Sequence, residues 1–189
     1  DFDALKLSAQ KKDFKAVKLD GVDFSASFSV DAQRIVSRNV AAILPGKRHP
    51  EQTVIYSGHW DHLGIGAANA EGDSIYNGAV DNASGTAGLL AMAKAAMQSP
   101  AKRSQMFLWV AAEEQGLLGS ALYAAQPLWP LDKTAANLNL DSLNFIGITR
   151  DISTRGSERT ELGAIAEKVA KSMQLSITPS EPDLAGGYF

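Results

Sequence analysis

The sequence has no cysteine. That excludes disulfides, thiolate-held zinc, iron–sulfur clusters and a thiol nucleophile. Histidine is nearly as scarce: His49, His59 and His62 are the only three, so a bound metal would also draw on Asp and Glu. Basic charge is not in excess. Lys and Arg number 18 against 21 Asp and Glu, a formal net charge of −3, which argues against a polybasic nucleic-acid binder. No apolar run reaches the roughly 18 residues that mark a membrane-spanning helix. There is no G-x-S-x-G elbow and no H-E-x-x-H helix, so the common serine-hydrolase and zincin signatures are missing. Internal repeats and low-complexity tracts are missing too.

What remains is a chain of 189 residues, 45% hydrophobic and 21% charged, a composition that predicts one globular domain over residues 1–189. It opens at Asp1 without Met or a signal peptide, which reads as a processed or truncated piece. Residues 3–11 have helical spacing. From Ala16 to Ile43 the pattern is strand-like, with turns at Asp20-Gly21 and Asp31-Ala32. Phe24, Ala26, Phe28 and Val30 alternate with Ser25, Ser27 and Ser29, and Arg34–Leu44 forms the next strand. Thr53–Tyr56 and Gln105–Ala112 are short apolar runs that suit buried strands. Ala136–Leu140 is a third strand, and Phe145–Ile148 is strand-like. Helices are expected over Thr86–Met97, with Leu90, Ala93 and Met97 on one face, over Leu117–Ala125, and over Glu161–Met173 through Ile165, Val169 and Met173. Alternating strands and helices predict a three-layer α/β/α sandwich with a mixed sheet, parallel in the centre. The opening strands supply an antiparallel edge.

The positions of the acids carry the functional signal. His59 and Asp61 follow the strand at 53–56, Glu113 and Glu114 follow the strand at 105–112, and Asp141 closes the strand at 136–140. Open α/β sheets bind ligands outside the carboxyl ends of their strands. Asp81 joins from the loop before the helix at 86–97. Carboxylates gathered this closely repel one another, and a divalent cation relieves that repulsion. The competing reading is that Asp81 or Glu114 caps a helix. Where Glu113-Glu114 stays extended, its side chains point to opposite sides, so one can face a metal while the other acts as a base. In His59-Trp-Asp61 the carboxylate shares a side with the imidazole, and such a partner commonly fixes the tautomer of a ligating His. His59 is favoured over His62 as the ligand, and His49 reads as a solvated loop residue.

Four blocks then resemble, in order, those of the di-zinc exopeptidases, metallopeptidase family twenty-eight. They are Ser57-Gly-His-Trp-Asp-His-Leu-Gly64, Asn77-Gly-Ala-Val-Asp-Asn-Ala-Ser-Gly-Thr-Ala-Gly88, Ala111-Ala-Glu-Glu-Gln-Gly-Leu-Leu-Gly-Ser120 and Asn139-Leu-Asp-Ser142. The family includes leucyl aminopeptidases, aminopeptidase Y and glutamate carboxypeptidase. The resemblance implies that His59, Asp81 and Asp141 bind one zinc and that Asp81 bridges to a second held by Glu114. It makes Glu113 the general base and Asp61 the partner of His59. It also implies a cis peptide at Asp81–Asn82, a peptide substrate with a free amino end, and an extracytoplasmic location, periplasmic or secreted. Cobalt or manganese is an acceptable substitute at such ligands. The sequon at Asn82-Ala-Ser84 is not expected to be glycosylated.

In one respect the chain departs from the family. A further His for the second zinc comes from near the end of the family's domain, and here no His follows His62. Gly186-Gly-Tyr-Phe189 resembles the approach to a later substrate-binding block, so the resemblance implies a truncated catalytic domain with an incomplete second site. Two other readings stand beside the aminopeptidase: a glutaminyl-cyclase-like zinc acyltransferase and an inert binding domain on the same fold. The loop from Gly64 to Tyr76 is expected to rim the entrance, with Trp60 beside the metals.

Overall fold

The computed structural model describes residues 2–18, 20, 21, 23, 25–32 and 34–178, without the side chains of Phe2 and Glu158. Phe24 and the closing Gly186–Phe189 stretch lie outside the described residues. The chain divides into two compact units, one running to Val36 and the other starting at Ser37.

The first unit contains α1 (Phe2–Ala9), with Asp3 in its first turn and Lys6 in its last, signs that complement the helix dipole. The Asp20-Gly21 turn is present, and Gly21 takes the left-handed conformation (φ 76°). The strands expected between Ala16 and Asp31 do not form among the described residues. Phe28 and Val30 are 83% and 75% exposed. Alternation marks a face that a strand can bury, but a strand also needs a neighbour for its N–H and C=O groups, and none pairs there among the described residues.

In the second unit the strand expected over Arg34–Leu44 shortens to β1 (Val40–Leu44). β2 (His49–His59) follows, then a small hairpin of β3 (Gly64–Ile65) and β4 (Ile75–Tyr76). An irregular turn at Ala79–Ser84 leads into α2 (Gly85–Gln98). β5 (Arg103–Val110), α3 (Leu118–Ala125) and β6 (Thr134–Asn139) come next. The unit continues through β7 (Asp151–Ser153), α4 (Leu162–Ser172) and β8 (Ser176–Thr178).

The main sheet runs β1-β5-β2-β6. β1 is its antiparallel edge, and β2 is parallel to both β5 and β6. Successive side chains of β5 alternate between the faces of the sheet. Met106, Leu108 and Val110 pack with Ile55 and with Tyr123 of α3. Phe107 and Trp109 pack with Leu89 and Ala96 of α2. A helix therefore covers each face of this mixed sheet, which gives the expected three-layer α/β arrangement. Tyr56 and Phe107 are register partners on neighbouring parallel strands, and their rings stack at 5.4 Å.

Three expectations need correction. On α2 the inward residues are Leu89 and Ala96, flanked by Met92 and Ala93, while Leu90 and Met97 are exposed. The strand at Phe145–Ile148 is replaced by bends. There Asn144 accepts from the Ile146 N–H at 2.9 Å and donates to the Gly147 carbonyl, a local closure that competes with strand pairing. On α4 the residues Ile165, Val169 and Met173 are exposed, and burial falls on Ala170.

Candidate metal centre

Sheet register builds the site. His59 is the last residue of β2 and pairs with Val110, the last residue of β5. Ser57 pairs with Asn139, the last residue of β6. Residues just past three parallel strands thus reach one edge: His59 and Asp61 from β2, Glu113 and Glu114 from β5, and Asp141 from β6.

Asn82 brings Asp81 to the same edge. It is 1% exposed; its Nδ2 donates to the Leu140 carbonyl at 2.9 Å, and its Oδ1 accepts from the Gly85 N–H at 2.9 Å and the Ser142 N–H at 3.2 Å. The Ser84 hydroxyl adds a second tie by accepting from the Leu143 N–H at 2.9 Å. The Asp81–Asn82 peptide is cis, the isomer the family resemblance implies.

His59 is 2% exposed. Its Nε2 lies 3.0 Å from Asp81 Oδ1 and 3.5 Å from Asp141 Oδ1. Its Nδ1 is 2.9 Å from the Asp61 main-chain carbonyl. The Asp61 carboxylate is 3.8 Å from that nitrogen and instead accepts from two successive amides, Glu113 at 3.1 Å and Glu114 at 3.3 Å. Asp61 therefore orients the imidazole through its backbone and anchors the Glu113-Glu114 turn through its side chain. The turn needs unusual backbone: Ala112, Leu117 and Gly116 all have positive φ. Gly119 lets α3 begin against β5, since a Cβ there would meet the Ala111 carbonyl oxygen at 2.2 Å.

Burial disfavours the charged form of His59, yet Asp141, the Asp61 carbonyl, Glu113 and Asp81 together hold its pKa above the ordinary value. Burial raises the Glu113 pKa; His59 opposes the rise, and Glu114, Asp141 and Asp81 reinforce it.

The donors fall into two sets that share Asp81: His59, Asp81 and Asp141, and His62, Asp81 and Glu114, each with ligand atoms within 4.8 Å of one another. The sequence favours His59 over His62 as a ligand, yet the His62 Nδ1 lies 2.7 Å from Glu114 Oε1. Asp81 Oδ1, His62 Nδ1 and Glu114 Oε1 are shielded from solvent without an aligned hydrogen-bond partner. Orphaned buried donors of this kind fit a divalent cation, and imidazole with carboxylates is a zinc-type set. His49 sits apart, facing Glu51 at 3.7 Å on the surface. Two clefts flank the cluster. One, of about 320 Å³, lies between Trp60, His62, Asn77 and the hairpin residues Gly64 and Tyr76; the other, of about 200 Å³, is lined by Glu113, Glu114, Gly116 and Leu117.

An α/β sheet with two His–carboxylate sets at its carboxyl edge is an arrangement able to hold metal ions. The chain belongs to peptidase family M28, whose model matches residues 39–189, and zinc is the metal that this family implies. A probable zinc metalloprotease of Pyricularia oryzae is 38% identical over 86 residues, 46% of this chain and 17% of that protein. A zinc aminopeptidase from Bacillus subtilis superposes with a TM-score of 0.59 at 23% identity, covering 76% of this chain and 34% of that one. A glutaminyl cyclase from Bacteroides thetaiotaomicron superposes with a TM-score of 0.60 at 17% identity, over 76% and 56%. The chain thus spans under a fifth of the first of these and about a third of the second, and at these identities both superpositions speak to fold alone.

Proposed function

We propose that the chain carries the metal site of an aminopeptidase, which removes residues from the free amino end of peptides. His59, Asp81 and Asp141 would hold one cation, Asp81 and Glu114 would contribute to holding a second, and Glu113 is the general base. Zinc at these ligands supplies Lewis acidity, polarising a carbonyl and acidifying water. The Glu113 carboxylate takes a proton from the attacking water and passes it to the departing amine. Asp61 sets the angle of Glu113 by holding the Glu113 and Glu114 amides.

The observation that carries this reading is the pair of donor sets meeting at Asp81. A preference for amino over carboxyl ends is supported by charge. Among the described residues lining the two clefts the acidic side chains are Asp61, Glu113 and Glu114, with no Lys or Arg beside them, which leaves carboxylates for a substrate ammonium to meet. The likeness to a glutaminyl cyclase is one of fold, and two adjoining donor sets favour a two-cation hydrolase over it.

The zinc-loaded full-length protein is expected to hydrolyse leucyl-anilide and free-ended dipeptides, to ignore their N-acetylated forms, and to lose activity with Glu113→Gln. Equal cleavage of acetylated substrates, or normal turnover by Glu113→Gln, would contradict the proposal. Cyclisation of amino-terminal glutamine by a one-zinc protein would favour the cyclase instead.

A further inference from the structure

We infer that the amino edge of the main sheet, opposite the metal centre, docks on the anionic headgroups of a lipid bilayer. β2, β5 and β6 run parallel, so their starts share that edge, with β2 between the other two. Lys47 and Arg48 lead into β2, Lys102 and Arg103 open β5, and Lys133 immediately precedes β6; all are exposed. The acids among them are Glu51, which faces His49 at 3.7 Å, and Asp132. The edge is therefore positive on a chain whose formal net charge is −3, so cations from three separate segments are gathered in one place.

The backbone beneath these cations is fixed. The Arg48 and His49 amides both donate to the Lys102 carbonyl, at 3.0 and 2.9 Å, and the Lys47 amide donates to the Ala101 carbonyl at 3.0 Å. Gly46 permits this approach, since a Cβ there would meet the Lys102 carbonyl oxygen at 2.5 Å and the Ser104 nitrogen at 2.6 Å. Two basic pairs far apart in sequence are thereby held side by side, where their repulsion opposes folding and an anionic surface relieves it. Apolar side chains lie beside them. Leu128 and Leu131, on the segment that leads to Lys133, are 67% and 52% exposed. Between them Trp129 packs on the core, and its indole N–H donates to the Glu51 carbonyl at 3.2 Å, which sets both leucines next to the start of β2. Cations flanking exposed aliphatic side chains fit phosphate headgroups over acyl chains. A single-stranded nucleic acid would instead need free aromatic faces for its bases, and the Trp129 ring is committed to the core. With this edge on a bilayer, the metal centre at the carboxyl edge faces away from the lipid.

The test is sedimentation of the full-length protein with vesicles. Binding to vesicles of equimolar phosphatidylglycerol and phosphatidylcholine is expected, weakening as salt rises, with none to phosphatidylcholine alone. Each Lys or Arg near such a surface contributes about fivefold in affinity, so Arg48→Gln with Lys102→Gln should weaken binding about 25-fold. Lys168→Gln with Lys171→Gln removes the same charge from exposed positions on α4 and should leave binding unchanged. Leu131→Ser should weaken vesicle binding about tenfold by removing apolar burial, while leaving binding of soluble inorganic polyphosphate as it was. Circular dichroism checks that each variant is folded. Equal binding to both kinds of vesicle, binding to neither, or an equal loss from the α4 pair would overturn the proposal. Full vesicle binding by Leu131→Ser would overturn it too, by making the edge a site for any polyanion. None of these readouts involves turnover, so they are independent of the peptidase reading.

Discussion

Replacing Asn82 with Ala tests how the cluster is assembled, because this side chain joins the Asp81 turn to the end of β6. It removes a bond to the Leu140 carbonyl and two bonds from the Gly85 and Ser142 amides. Each is worth about 1 kcal/mol net, and more where a buried partner is left unsatisfied. The expected loss is about 3 kcal/mol or somewhat above, a large share of the roughly 5–15 kcal/mol that holds a typical domain. At about 2–4 °C per kcal/mol for a unit of this size, the melting temperature should fall by about 6–12 °C. Ser84→Ala removes the bond from the Leu143 amide and the hydroxyl's own bond to the Val80 carbonyl and should cost about 2 kcal/mol. Asn82→Asp should not rescue. It keeps an acceptor for Gly85 and Ser142 but sets carboxylate oxygen against the Leu140 carbonyl. Urea unfolding of metal-free protein gives the three values directly. An Asn82→Ala cost no larger than that of Ser84→Ala would refute the claim that Asn82 is the main tie.

Further outcomes follow from other parts of the molecule. Leu89→Ala should cost about 2–5 kcal/mol in urea unfolding, since the side chain is fully buried against β5, whereas Leu90→Ala should stay within about 0.5 kcal/mol; equal costs would contradict the assigned face of α2. Asp61→Ala frees the Glu113 and Glu114 amides and should lower zinc affinity or hydrolysis by about 10- to 100-fold, and an unchanged rate with unchanged affinity would show that the anchor is dispensable. Thr178 and Thr149 hydroxyls bonded to Asp151 hold its carboxyl below the usual range. A folded pKa below the unfolded one means that this contribution is full above the unfolded pKa and disappears as pH falls through the folded one. Thr178→Val should therefore move the Asp151 NMR titration upward, and an unmoved titration would discount the contact.

Much of the sheet could be read from the sequence because its central strands are apolar runs bounded by Gly and Pro, and their ends carry the acids. Thr53–Tyr56 and Gln105–Ala112 became the middle of β2 and most of β5. Parallel register then brought His59, Glu114 and Asp141 to one edge, and the Asn82 turn added Asp81. What escaped reading depended on contacts distant in sequence. The Ala-rich α2 gives little contrast between Leu89 and Leu90, so its orientation was off by one residue. The alternation through Phe28 and Val30 had no sheet to join among the described residues. His62, three residues past His59, reaches Glu114 only because the chain turns after β2 and Gly78 leaves room for the ring. The glycine was visible in the sequence; its neighbour was not. Asn82 looked like a sequon, and its role emerged only once Leu140 and Ser142 lay beside it.

Anomalous diffraction at the zinc edge, from crystals grown with zinc, tests the central claim most directly. Two peaks are predicted, one among His59, Asp81 and Asp141 and one on the far side of the Asp81 carboxylate. Crystals with zinc bound only elsewhere, and no peak touching Asp81, would contradict it.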